Sequence, residues 1–217
     1  MPVETLSLSR YGRGEPLLLL HGIGSSSRDF APVVPALAAS FRVLAVDLPG
    51  AGGSPALRSR PDVPALADAV ERTLDAEGVG TVHVLGNSLG ARVALELARR
   101  GRARSVVAVS PSGLNLPGER LYQGATMALA RVALRRLAPV LEPLAAVRPA
   151  RAALLASLKA RPLASTRDEA LGAREGFADS QGFWRLLLWG VLLDVPTGLR
   201  QITCPVTLVQ GVADWIA

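Results

Sequence analysis

The chain has 217 residues, 49% of them hydrophobic, with 24 Lys and Arg against 18 Asp and Glu, a net charge of +6 and a mean hydropathy of +0.31. That length fits one domain with a sizeable core. The positive charge is nearly all arginine, with Lys159 the only lysine; because no aromatic residues interleave the scattered arginines, the composition argues against a nucleic-acid-binding protein.

In chain order, Val3 to Leu8 and Glu15 to Leu20 are expected as strands, the run Leu17-Leu18-Leu19-Leu20 being apolar enough for a buried one. His21-Gly22-Ile23-Gly24 and Ser25-Ser26-Ser27 follow as a glycine-rich loop, in which the His21 ring is expected to brace the turn. Asp29 to Ser40 reads as a helix interrupted by prolines, and Phe41 to Val46 as a strand closed by Asp47-Leu48-Pro49-Gly50-Ala51-Gly52-Gly53-Ser54. Asp62 to Glu77 is a helix: Asp62 caps it, Leu66, Val70 and Leu74 share a face, and Gly78 ends it.

A strand over Thr81 to Leu85 then meets Gly86-Asn87-Ser88-Leu89-Gly90, and a helical pattern follows at once through Ala91, Val93, Ala94, Leu95, Leu97 and Ala98. Arg99, Arg100, Arg102 and Arg104 cluster at its end, as cations at a helix C-terminus do. Ser105 to Val109 is the next strand, leading to Ser110-Pro111-Ser112-Gly113. From Leu114 to Thr197 the alternation stops. This stretch reads as helical, studded with arginine and broken by Pro139, Pro143, Pro149 and Pro162. Its most apolar piece, Phe183 to Leu193, is too short for a membrane span and carries Arg185. It is either a face over an apolar pocket or plain packing against the core, with an amphipathic membrane contact a lesser reading. Cys204 is expected as a small buried hydrophobe, and as the lone cysteine it excludes an internal disulfide and fits a reducing compartment. Pro205 to Gln210 reads as a late buried strand ending in Gly211-Val212-Ala213-Asp214. With Glu4 near the start and no apolar segment behind basic residues, no signal peptide is evident, and a cytoplasmic location is expected.

Strand, G-x-S-x-G, helix is the context in which a serine is presented as a nucleophile on a strained corner. Acyl transfer also needs backbone N–H groups aimed at the oxygen that becomes negative. Leu89, the residue after the serine, would supply one, and Ile23 or Gly24 in the earlier loop the other. No metal or organic cofactor is implied by any cluster of residues.

Three motifs, His21-Gly22-Ile23-Gly24, Asp47-Leu48-Pro49-Gly50-Ala51-Gly52-Gly53-Ser54 and Gly86-Asn87-Ser88-Leu89-Gly90, resemble in order and separation those of the α/β-hydrolase superfamily over about residues 15 to 111. The resemblance implies an α/β fold: a mostly parallel sheet with helices on both faces, core parts at 1–113 and 198–217, and a helical lid over 114–197. Ser88, where some branches carry aspartate, is similar to the acyl-transferring members, so a small, largely apolar ester or related acyl compound is the expected substrate. In the family, G-x-x-D after the late strand carries the triad acid, which places that role on Asp214; its plainer reading is a loop aspartate capping the next element. The family's histidine base lies downstream of the acid, after one more strand. This sequence has only His21 and His83, so base, final strand and final helix are expected to be missing, by truncation, by loss of catalysis or because a partner supplies the base. Loss of such a base costs roughly a million-fold in turnover. Asn87 before the serine resembles the carbon–carbon bond hydrolases, the alternative enzyme reading; a non-catalytic ligand-binding or interaction protein of the same fold is the alternative of another class. No nucleic-acid partner and no stable membrane insertion are expected, and the oligomeric state is left open.

Overall fold

The computed structural model describes residues 5–114, 116–156, 162–173, 176–177, 180 and 182–211. Its centre is one six-stranded sheet of β1 (Leu8–Tyr11), β2 (Glu15–Leu20), β3 (Phe41–Val46), β4 (Val82–Asn87), β5 (Ala103–Val109) and β6 (Val206–Val209), in the spatial order β1-β3-β2-β4-β5-β6. Only β1 runs antiparallel, against β3; every other pairing is parallel. Parallel neighbours need crossover connections, and α1 (Val34–Ala38), α2 (Val63–Ala76) and α3 (Leu89–Arg99) lie between the strands accordingly.

Both faces of the sheet are covered, which explains the unbroken apolar run in β2. Leu18 and Leu20 join a core with Leu66, Val70, Leu89, Val93 and Leu97 of α2 and α3. Leu17 and Leu19 join Phe30, Val34, Val43 and Ala45 on the opposite face. The α2 helix forms as its sequence suggests: the Asp62 carboxylate accepts from the Ala65 N–H at 3.1 Å, and Gly78 turns the chain at φ 68°.

Several expectations are corrected. Among the described residues the first strand is Leu8–Tyr11; of the strand expected over Val3 to Leu8, Leu6 N–H donates instead to Thr73 Oγ1 and Ser7 N–H to Ser54 Oγ, while Val3 and Glu4 lie outside the described residues. Instead of a helix over Asp29 to Ser40 there is a single 3₁₀ turn, Ser27–Phe30, and the five-residue α1, with Pro32 separating them. Conversely, Pro139 and Pro143 do not break α4 (Pro117–Ala146); both sit on its exposed side, where the carbonyls they free face water. The strand expected to be buried at Pro205 to Gln210 exists as β6 but is exposed along its whole length, as a sheet edge. Cys204 is half-buried against the core, and burial pushes its thiol pKa up.

After β5 the chain is helical: α4, α5 (Arg148–Leu155), α6 (Arg167–Ala173) and α7 (Phe183–Leu186), which continues into a π-helical turn over Leu187–Leu192. Phe183, Leu186, Leu187 and Val191 are buried, whereas Trp184, Leu188 and Leu193 face solvent. Among the described residues no helix is long and apolar enough to cross a membrane.

Candidate active site

The strand order reverses at β2: the chain moves outward from it to β3 and returns to its other side as β4. In such a sheet the carboxyl ends of the two strands at the reversal frame a crevice. Here the loop His21–Gly24 leaves β2 and Ser88 follows β4, with Leu20 and Gly86 in register. The neighbouring strand ends are stitched in step. Ser88 N–H donates to Val109 O at 2.9 Å, and Ser110 N–H to Val209 O at 2.8 Å.

Ser88 sits between strand and helix with φ 51° and ψ −114°, a region costing a non-glycine residue on the order of 1–3 kcal/mol. The turn is tight enough to exclude side chains at both flanking positions. A Cβ at Gly86 would fall 2.6 Å from the Ala91 amide nitrogen, and one at Gly90 would be driven into the carbonyls of Leu20 and His21. Ser88 Oγ is buried and has no hydrogen-bond partner. The first backbone bond of α3 runs from Arg92 N–H to Ser88 O, so the N–H groups of Leu89, Gly90 and Ala91 have no acceptor within the helix. The β2 loop passes directly against the serine: a Cβ at Gly22 would lie 3.2 Å from Ser88 Cβ. Ile23 and Gly24 follow in that loop, Ile23 being buried and Gly24 held at φ 70°. Ser88, Leu89, Ile23 and Gly24 are thus brought into one corner of the fold, while Asp214 lies outside the described residues.

Neither histidine is free for proton transfer at Ser88. His21 is buried, its Nδ1 2.7 Å from Gly22 O and its Nε2 accepting from Leu48 N–H at 2.9 Å. Those partners fix the neutral Nδ1–H tautomer. Burial lowers its pKa, against the opposing effects of the Gly22 carbonyl and the Asp47 and Asp29 charges. His83, on β4 beyond Val84 and Leu85, is half-buried rather than enclosed, with Ser105 Oγ 2.8 Å from Nδ1 and Glu15 Oε2 3.1 Å from Nε2.

The Asp47 motif builds the neighbouring wall. Burial opposes ionisation of its carboxylate, yet the N–H groups of Gly53 and Ser27, at 2.9 and 2.8 Å, hold its pKa below the ordinary value. Ser54 Oγ donates to Asp47 O and accepts from Ser7 N–H, closing the loop on itself. The sequence signal for this role is the Gly52-Gly53 pair, which lets backbone approach the Asp47 carboxylate. Among the described residues no group of three or more His, Cys, Asp or Glu could hold a metal ion.

Comparison with known proteins identifies the fold family. A family model described as the alpha/beta hydrolase fold matches residues 15–184. The chain is 40% identical over 111 residues to the pimeloyl-[acyl-carrier protein] methyl ester esterase of Aeromonas hydrophila, covering 50% of this chain and 42% of that enzyme. It is 36% identical over 126 residues to the dihydrolipoyllysine-residue acetyltransferase component of the acetoin cleaving system of Pseudomonas putida, covering 56% of this chain and 34% of that protein. The chain therefore spans less than half the length of these relatives. A solved marine microorganism esterase superposes with a TM-score of 0.68 at 16% identity, covering 98% of this chain and 83% of that one.

Proposed function

This chain belongs to the α/β-hydrolase fold family, and from that premise we propose that it is the core of a serine hydrolase acting on a small, largely apolar ester or related acyl compound. The observation that carries the reading is Ser88 itself, a non-glycine residue held at positive φ with a buried, unpartnered hydroxyl beside helix N–H groups that have no acceptor within the helix. Strain of that kind needs a reason, and presenting a nucleophile is one. The likeness to an enzyme named for methyl ester hydrolysis supports an ester as the substrate.

In the proposed reaction Ser88 Oγ attacks the acyl carbon, and the resulting oxyanion accepts from Leu89 N–H and from Ile23 or Gly24 N–H. Each such donor is worth on the order of 10²–10³ in rate. Collapse expels the alcohol and leaves an acyl-serine ester, which water hydrolyses to the acid and free Ser88. A general base must take the serine proton, and we assign it to a histidine oriented by Asp214. The locked ring of His21 and the Glu15-paired ring of His83 exclude both histidines of this sequence. The helical stretch 114–197 serves in this reading as the lid over the acyl pocket.

Fluorophosphonate labelling tests the nucleophile. With a histidine base supplied, Ser88 should be modified rapidly, and Ser88→Ala should abolish modification; in the 217-residue chain alone the rate should be lower by roughly a million-fold. Labelling that persists in Ser88→Ala would overturn the assignment.

A further inference from the structure

We propose that the outward face of α4, along Leu121, Tyr122, Leu129, Val132, Arg135 and Arg136, is a reversible docking surface for an anionic lipid bilayer. The helix runs for 30 residues, about 45 Å. Its inward face, with Gln123, Met127, Arg131, Leu134 and Leu141, is buried against the rest of the molecule. The opposite face of a helix that only water covers is polar. Here it is apolar: Leu121 and Leu129 are each 70% exposed and Tyr122 is 59% exposed, with Val132 exposed as well. From Leu121 the chain steps through Ala125, Leu129 and Val132 to Arg136 at intervals of three or four residues, all five exposed. That spacing sets them on one side of the helix over about four turns. Single exposed leucines are ordinary, but a contiguous apolar strip of this kind marks an interaction surface.

The charges on the strip select its occupant. Arg135 and Arg136 are exposed, and among the described residues neither makes a hydrogen bond or an ion pair. No carboxylate lies between Arg120 and Leu141 in sequence. The acids of α4 sit near its ends, where Glu119 accepts from Leu116 N–H and Glu142 pairs with Arg167. A second copy of this chain would bring the same strip and no acid, so stacking two of them would bury guanidinium charges without partners. A folded partner of another kind would find little to read, because the Tyr122 hydroxyl and the two guanidiniums are the only hydrogen-bonding groups on the strip.

An anionic bilayer needs neither register nor shape. Its phosphates meet the guanidiniums, its acyl boundary takes the leucines, and the Tyr122 phenol suits a level where one end of the ring is apolar and the other wet. The apolar run Phe183 to Leu193 contributes less, since Phe183, Leu186, Leu187 and Val191 pack into the core. No described helix is long and apolar enough to cross a bilayer, so the contact is peripheral.

Co-sedimentation of the 217-residue chain with vesicles tests the surface. Phosphatidylcholine vesicles are compared with vesicles of equal parts phosphatidylcholine and phosphatidylglycerol. The chain should bind the anionic vesicles, bind the neutral ones far more weakly, and come off as salt is raised. Arg135→Gln together with Arg136→Gln should weaken anionic binding about thirtyfold. Leu121→Gln together with Leu129→Gln should weaken it about tenfold or more. Both pairs should leave Tm unchanged, because all four side chains are exposed. No binding to either vesicle, equal binding to both, binding that survives either pair of substitutions, or a lowered Tm in either overturns the surface. So does a dimer in sedimentation velocity without lipid that Leu121→Gln with Leu129→Gln dissolves, because the strip then belongs to a second copy.

Discussion

Ser88 can hold φ 51° only because position 86 and position 90 are glycine, and each is required by a different neighbour. Gly90→Ala pushes a methyl into the Leu20 and His21 carbonyls at the floor of the site. It should lower Tm clearly, and abolish fluorophosphonate labelling of Ser88 where a histidine base is supplied. His21 gives a second prediction at this scale. Burial holds its folded pKa below the ordinary 6.5, so the unfolded chain binds more protons as the solution acidifies. The stability linked to the neutral ring is complete above about pH 6.5 and falls as pH drops below it. Thermal melts should therefore decline from pH 7 towards 5.5, and His21→Gln should flatten that slope. Asp47, with a depressed pKa, loses its contribution only in the separate window below its ordinary 3.8.

Among the elements, α2 and α3 were legible from capping and periodicity, since Asp62, Gly78 and the glycines around Ser88 are local signals. Asp62→Ala should cost about 1 kcal/mol, read as a lower urea midpoint with unchanged slope. The arginines after α3 were legible as a cluster but not in their use. Arg100 bridges Asp68 and Glu71 on α2 and Glu96 on its own helix, while Arg102 pairs with Asp75 and Arg104 with Glu15. They clamp elements together, and nothing in their spacing could say so because the acids lie at distant positions. For Asp29 to Ser40 the prolines were legible as interruptions, but not how little helix they leave: a 3₁₀ turn at Ser27–Phe30 and five residues at Val34–Ala38.

Across the molecule, the helical stretch after β5 is tied to the sheet domain by a buried ion pair between residues 102 positions apart. Arg92 on α3 and Asp194 are 5% and 12% exposed in their side chains, and Arg120 of α4 also donates to Asp194 O. Replacing Asp194 with Leu would strand the arginine charge in the interior, a loss of about 3–5 kcal/mol. Chemical denaturation should register that loss, and Arg92→Leu combined with Asp194→Leu should recover much of it. Gly113 packs beside both partners, so the same substitution should also loosen the loop carrying Ser112.

By itself the sequence determined the alternation of strand and helix, the parallel sheet, the position of Ser88 and the glycine loop opposite it. Those features rest on periodicity and on glycines whose need is local. Only the tertiary structure decided which residues meet across the chain: the locking of His21 on Leu48, the exposure of β6 at the sheet edge, the Arg92–Asp194 pair and the bond from Ser112 N–H to Ser88 O. Each depends on burial and partner choice between segments far apart in sequence, and a polar residue's partner leaves no mark on its own neighbours along the chain.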